Sequence, residues 1–361
     1  MDFIAVNASR VYNNHYNSGV IRFNSNNSIC CGIRREGNDL PEIWFPNLGI
    51  MINKLDNVAV TVFGMDLYWY GIIIAIGFLG ALIYAYTNYK RFNLNIDRAL
   101  DVVLVTVPVA ILCARAFYVI FYGEKLESIG DFFGFGDSSG FAGLAIYGGV
   151  IGAFVTGFIM CKWRKVKFTD MFDIASLGFL IGQGVGRWGN FVNQEAFGSL
   201  TKGPGMMSNE VLRYITSYPE NFGLEGKTAY EISEYITTNN LSVHPCFFYE
   251  SLWCLTGFVV IHFLSKKRKF SGEVFLMYLA WYGFGRAIIE TLRTDSLMIG
   301  PFKVSLLLGI LLCVASITLI VIIRKKLNEK QAVYENVFDE EIEAEEIIET
   351  VTEGEENVQA D

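Results

Sequence analysis

Charge is scarce in this 361-residue chain: 18% of its residues are Asp, Glu, Lys or Arg, 52% are hydrophobic, and the mean hydropathy is +0.35. Soluble domains sit nearer a quarter charged, which excludes an ordinary soluble fold. Histidine is scarcer still, with 3 in the whole chain. The 7 cysteines (Cys30, Cys31, Cys113, Cys161, Cys246, Cys254 and Cys313) form no C-x-x-C pair and show no metal-like spacing with those histidines. No metal site and no cofactor are expected on that basis. An odd cysteine count, partly inside apolar blocks, also argues against a disulfide framework, and most of these side chains read as small buried hydrophobes. The first 50 residues, rich in Asn, lack a charged-then-apolar leader. Residues 1–50 are read as an atypical extension, either non-native or lying upstream of a start at Met51.

What is present is a series of apolar blocks of about 20 residues, the length that crosses a bilayer core of about 30 Å. Seven are expected, at about 67–86, 100–122, 141–161, 172–191, 247–264, 273–290 and 304–323. The fold class is therefore an all-α polytopic membrane protein with seven transmembrane helices. Its long polar connection at 193–244 predicts a small extracytoplasmic head between helices four and five.

Charge between the blocks sets an orientation. Lys90, Arg91 and Arg98 follow the first block, Lys162, Arg164, Lys165 and Lys167 the third, and Lys266, Lys267, Arg268 and Lys269 the fifth. By the positive-inside rule these loops face the cytoplasm, the N-terminus lies outside, and Arg324, Lys325 and Lys326 hold the C-terminus inside. The net charge of -8 conceals this bias, because residues 331–361 carry 12 acidic and no basic side chains, leaving -8 + 12 = +4 for the rest. Residues 51–327 are read as the catalytic membrane domain and 328–361 as an acidic, disordered cytoplasmic tail.

The stretch GVGRWGNFVNQEAFG contains Gly184, Gly186 and Gly189 in the spacing of a dinucleotide-binding loop. That loop needs a strand before it and a helix after it. An open strand-to-helix unit cannot sit in lipid, so the glycines are read instead as small-residue faces for close helix packing. No nucleic acid is expected as a partner. Arg187 is not explained by packing, because an arginine at membrane depth costs several kcal/mol unless paired and marks function by default. Arg115, Glu250, Arg286 and Glu290 also lie inside apolar blocks. Arg286 and Glu290, four residues apart, could simply neutralise each other. Several intramembrane arginines beside Asn190, Asn193 and Glu195 require a shared polar cavity, and an excess of guanidinium suits an anionic phosphate. Tyr70, Tyr147 and Tyr282 each precede a glycine. Taken singly, each reads as a packing or interfacial aromatic.

The segments GRWGNFVNQEAFG, HPCFFYES, YGFGRAIIETLRTDS and IYGGVIGA, together with the Arg115 segment, closely resemble bacterial prolipoprotein diacylglyceryl transferases over about residues 68–323. The resemblance implies transfer of the diacylglyceryl group of phosphatidylglycerol to the lipobox cysteine of a preprolipoprotein. It also implies a multi-pass location in the bacterial cytoplasmic (inner) membrane, with membrane lipid, phosphatidylglycerol and lipobox-containing preprolipoproteins as partners. Carried over by motif, Arg187 binds the headgroup, with Asn190, Asn193, Glu195 and Gly198 completing the signature segment. Arg115 belongs to the same substrate-binding set. Arg286 and Glu290 match the late-span pair and Tyr70 the first-span tyrosine. Many relatives carry histidine where this chain has Tyr147, and a phenol with a pKa of about 10 is a poor base at neutral pH. His244 is the remaining motif histidine, and structural hydrogen bonding ranks ahead of catalysis for it. A transporter or a lipid-binding scaffold is the rival class; internal inverted repeats would favour the former and tolerance of lysine at the arginine positions the latter.

Overall fold

The structure is a computed structural model that describes residues 21–23, 29–31, 41–53, 55, 57–62, 65–122, 132, 145–294, 296, 298–299 and 302–359. Among the described residues the long helices are α1 (Trp69–Asn88), α2 (Ile96–Tyr122), α3 (Ile146–Trp163), α4 (Phe168–Val192), α7 (Cys246–Leu264), α8 (Glu273–Leu292) and α9 (Val304–Gln359). Two shorter helices, α5 (Asn209–Ser217) and α6 (Ala229–Thr238), lie between α4 and α7. Five of the long helices, α1, α2, α3, α7 and α9, are long and apolar enough to cross a membrane. The other two, α4 and α8, are those that carry Asp170, Asp173 and Arg187, and Glu273, Arg286 and Glu290. Those acids are buried and the two arginines half-buried, while large apolar side chains such as Leu104, Ile120 and Val150 on α2 and α3 are exposed.

Helices α4, α7 and α8 pack on one another; α1 lies against α4, α9 against α8, and α2 and α3 against each other. Small residues allow these approaches: a Cβ on Gly77 would lie 3.3 Å from the Cα of Gly182, so α1 and α4 meet almost backbone to backbone. At the far end of α4 from Arg187, the Arg268 guanidinium bonds Asp170 and Asp173 at 3.0 and 2.9 Å. Asp173 also accepts the Gly272 and Phe275 amides. These bonds fasten the start of α8 to the start of α4, so the two helices run parallel, with α7 antiparallel between them.

Short strands complete the chain. A first pair is β1 (Ile21–Phe23) and β2 (Ile29–Cys31), and a three-stranded sheet has the order β4 (Ile50–Asn53), β3 (Pro41–Phe45), β8 (Met207–Ser208). The hairpin of β5 (Val58–Val62) and β6 (Met65–Tyr68) leads into α1, β7 (Leu200–Thr201) pairs with β9 (Ser242–Val243), and β10 (Met298–Ile299) with β11 (Phe302–Lys303). The segment between α4 and α7 has its own core, in which Ile43, Met206, Val211, Ile215, Ile232 and Val243 are fully buried. Ser208 caps α5 by accepting the Val211 amide, and Thr228 with Glu231 forms a capping box on α6.

Two sequence-drawn boundaries need correction. A division after residue 50 cuts through the β3–β4 hairpin: β3 pairs with β8, and its consecutive residues Ile43 and Trp44, on opposite faces of the strand, are both buried in this core. The tail from 328 to 359, expected to be disordered, continues α9 as helix. Its Glu-rich composition, with no proline and one glycine, favours helix, and the apolar first turns of α9 have already met the cost of nucleation. Apart from β1, β2 and residues 41–50, the N-terminal extension lies outside the described residues.

Candidate active site

The site is centred on a carboxylate. Glu250, in the first turns of α7, is 5% exposed. Its Oε1 accepts Arg286 Nη1 at 3.2 Å and Arg293 Nη1 at 3.3 Å, and its Oε2 pairs with Arg187 Nη2. A second buried carboxylate, Glu290, holds Arg286 Nη2 at 2.7 Å. Three guanidiniums from α4 and the end of α8 thus converge on two acids, leaving one net positive charge. Uncompensated, either acid would cost several kcal/mol to bury. Each guanidinium carries five N–H donors, so the cluster retains donors for an anionic ligand.

Lys303 adds a further cation. Its Nζ donates to the carbonyls of Glu290 and Arg293, both at 2.8 Å, capping the last turn of α8. A small cavity of about 10 Å3, enough for about one water, opens beside the cluster between α7 and α8, lined by Glu250, Trp253, Cys254, Tyr282, Arg286 and Ile289 among others.

The signature segment owes its shape to the way α4 ends. After the cap residue Asn193, Gln194 takes a left-handed φ of 56°. The Glu195 amide reaches back to the Asn190 carbonyl at 2.9 Å and that of Gln194 to Phe191 at 3.0 Å, the Schellman closure of a helix. The turn folds the Glu195 carboxylate onto the Asn190 and Asn193 amides, at 2.9 and 3.2 Å. Ala196, also left-handed at 58°, then directs the chain between the start of α7 and the end of α8. There Gly198 donates to the His244 carbonyl at 2.8 Å and pairs with Arg293. A Cβ on Gly198 would lie 2.6 Å from the Leu292 carbonyl oxygen. The glycine is required because backbone passes backbone here.

The sequence-predicted residues fall into three groups. Arg187, Arg286 and Glu290 are joined through Glu250. Asn190, Asn193 and Glu195 form their own linked set at the end of α4, and Gly198 braces the end of α8. Tyr70 lies edge-on over Gly189, where a Cβ would come within 2.6 Å of the ring, and it is in electrostatic range of Glu195 and Arg187. Elsewhere, Arg115 is buried on α2 and donates Nε to the Phe132 carbonyl at 3.0 Å, with its guanidinium over the Tyr118 ring. Tyr147 stands half exposed at the start of α3. His244 Nδ1 meets the Tyr249 hydroxyl at 3.3 Å, and burial lowers its pKa below the usual imidazole value.

Glu250 stood out in the sequence as an intramembrane acid, but its role as the hub did not. Arg293 and Lys303 were missed. Arg293 is seven residues after Arg286 and three after Glu290, a spacing that would place all three on one helical face; the structure ends α8 at Leu292 and brings Arg293 to Glu250 as its extended cap residue.

The sequence profile of the family described as "Prolipoprotein diacylglyceryl transferase" matches residues 57–322. The chain belongs to the prolipoprotein diacylglyceryl transferase family. It is 39% identical over 280 residues to a protein of Bacillus cytotoxicus named phosphatidylglycerol–prolipoprotein diacylglyceryl transferase, covering 76% of this chain and 94% of that protein. A Bacillus anthracis protein of the same name is 40% identical over 288 residues, 78% of this chain and 97% of the relative. As a member of the prolipoprotein diacylglyceryl transferase family, the chain carries its arginine cluster and its signature turn within the matched range.

Proposed function

We propose that this protein transfers the diacylglyceryl group of phosphatidylglycerol to the cysteine thiol of lipobox-containing preprolipoproteins, the first step of bacterial lipoprotein maturation. The observation that carries the reading is the convergence of Arg187, Arg286 and Arg293 on Glu250 among apolar helices. The names of the relatives supply the substrates.

In the reaction, sulfur attacks the glycerol carbon that bears the phosphate ester. A carbon–sulfur bond forms, the carbon–oxygen bond breaks, its electron pair leaves with glycerol phosphate, and the thiol proton passes to a base. Charge accumulates on phosphate oxygen, where preorganised guanidiniums stabilise it most in the transition state. Arg187 clamps the headgroup; Arg286, aimed by Glu290, meets the developing charge. Asn190, Asn193 and Gly198 shape the headgroup end, and Arg115 contributes from the α2–α3 side. Tyr70 and Glu195 are the nearest candidates for proton handling. Tyr147, in the first turn of α3, and His244, paired with Tyr249, are weaker candidates.

In this reading α4 and α8 also cross the bilayer, giving seven spans in the cytoplasmic membrane with the 193–244 head outside. Incubation of the purified protein with glycerol-labelled phosphatidylglycerol and a lipobox peptide tests the reading. Label transfer to the peptide cysteine is expected. Label remaining wholly in lipid, with an inserted and monodisperse protein, overturns it.

A further inference from the structure

The helices that carry Glu250 and Arg286 repeat one short pattern: tryptophan followed four residues later by glycine, WCLTG at Trp253–Gly257 on α7 and WYGFG at Trp281–Gly285 on α8. The two helices are antiparallel, and the repeats meet as a reciprocal pair. The Trp253 indole Nε1 donates to the Trp281 carbonyl at 3.0 Å, and the Trp281 indole Nε1 donates to the Trp253 carbonyl, also at 3.0 Å. The rings stack with centroids 4.6 Å apart and planes 21° from parallel. Each indole occupies space that the other helix's glycine leaves open: a Cβ on Gly257 would collide with the Trp281 ring, and one on Gly285 with that of Trp253.

In a membrane interior an indole N–H needs a partner, and a helix carbonyl already bonded within its own helix can accept a second donor. Two such bonds running in opposite directions resist sliding either way, which stacking alone does not. The clasp sits directly under the arginine cluster: Glu250 is three residues before Trp253, and Arg286 follows Gly285. Trp253 and Gly285 also line the cavity shared with Glu250 and Arg286.

We propose that Trp253 and Trp281 are positioning residues whose reciprocal clasp fixes the register of α7 against α8, so that Glu250 meets Arg286 and Arg293 in the geometry the reaction needs. The proposal rests on the transferase reading above. Arg187 is held differently, because Ser251 Oγ bonds the Gly184 carbonyl at 2.7 Å and joins α7 to α4 independently of the clasp. Loosening the clasp therefore disturbs Arg286 more than the headgroup arginine, and the loss falls on kcat more than on KM.

The test compares Trp253→Phe, Trp281→Phe and the double variant in the labelled-phosphatidylglycerol assay. Phenylalanine keeps an aromatic ring but removes the donor. Each single variant is expected to lower kcat about tenfold, the scale of one lost hydrogen bond, with KM for phosphatidylglycerol changed less than about threefold. The double variant should be scarcely worse than either single one, because the two bonds act as a unit. If a phenylalanine variant does not insert, 3-benzothienylalanine at the same position keeps the tryptophan shape without the N–H and is read in the same way. Wild-type kcat in the single variants overturns the proposal, and so do losses that multiply in the double variant or fall equally on KM. A wild-type protein that transfers no label instead overturns the transferase reading, so the two failures are distinguishable.

Discussion

At the residue scale the central question is what Arg187 does that a simple cation would not. Its guanidinium is engaged by Glu250, and Asn190 with Glu195 lies one turn further along the same chain. A planar fork can hold the carboxylate through one nitrogen and a phosphate oxygen through others; an ammonium is a single point charge. Arg187→Lys should therefore lower initial transfer rates roughly a hundredfold, about 3 kcal/mol, although the charge is kept. Near-normal rates across phosphatidylglycerol concentrations, with insertion verified by protease resistance, would leave Arg187 as a helix-packing residue. Gly198 makes a separate point, because its neighbour is the carbonyl of Leu292 and not a flexible side chain. Gly198→Ala should displace the signature turn from the end of α8 at a cost of about 1–3 kcal/mol. Lowered thermal stability and lowered transfer together are the expected outcome; an alanine variant matching wild type in both would show that the turn tolerates the shift.

At the scale of elements, α8 concentrates the chemistry in its last two turns and depends on what caps it. Lys303 supplies two charge-assisted bonds to the Glu290 and Arg293 carbonyls, from the strand that leads into α9. Lys303→Met should loosen that end, lower thermal stability by about 1–2 kcal/mol and reduce transfer severalfold, while Lys303→Arg retains most of both. A methionine variant with unchanged melting and rate would exclude the cap. Much of this element was legible beforehand: the apolar block at 273–290 and the Arg286–Glu290 spacing follow from composition and helical periodicity. The role of Lys303 was not, since it reaches α8 across a β-hairpin, a tertiary relation that no local pattern encodes. The same holds for Glu250, whose three arginine partners come from positions 187, 286 and 293. The β3 strand escaped notice for another reason: a five-residue strand in an Asn-rich stretch shows its buried face only once Met207 pairs with Trp44.

At the scale of the molecule, the parallel helices α4 and α8 carry two polar clusters at opposite ends, and the difference between them bears on orientation. One end, at Asp170, Asp173 and Arg268, is closed: each carboxylate is matched by the arginine and by local hydroxyl or amide donors. It adjoins the loops that hold Lys162, Lys165, Lys266 and Lys267, the basic set that the positive-inside rule assigns to the cytoplasm. The other end, at Arg187, Glu250 and Arg286, retains guanidinium donors and adjoins the segment between α4 and α7, which the proposed orientation puts on the side where exported precursors arrive. Thiol labelling in intact cells decides this arrangement, using a chain whose native cysteines have been replaced. Glu220, exposed in the head, and Lys165, exposed in the α3–α4 loop, are suitable probe positions. A membrane-impermeant maleimide should modify Glu220→Cys and leave Lys165→Cys unmodified until the membrane is opened by detergent. Labelling of Lys165→Cys alone in intact cells would invert the orientation and place the arginine cluster on the cytoplasmic side, away from translocated substrates. Labelling of both in intact cells would mean that the chain between them does not cross the bilayer, which would remove α4 as a span.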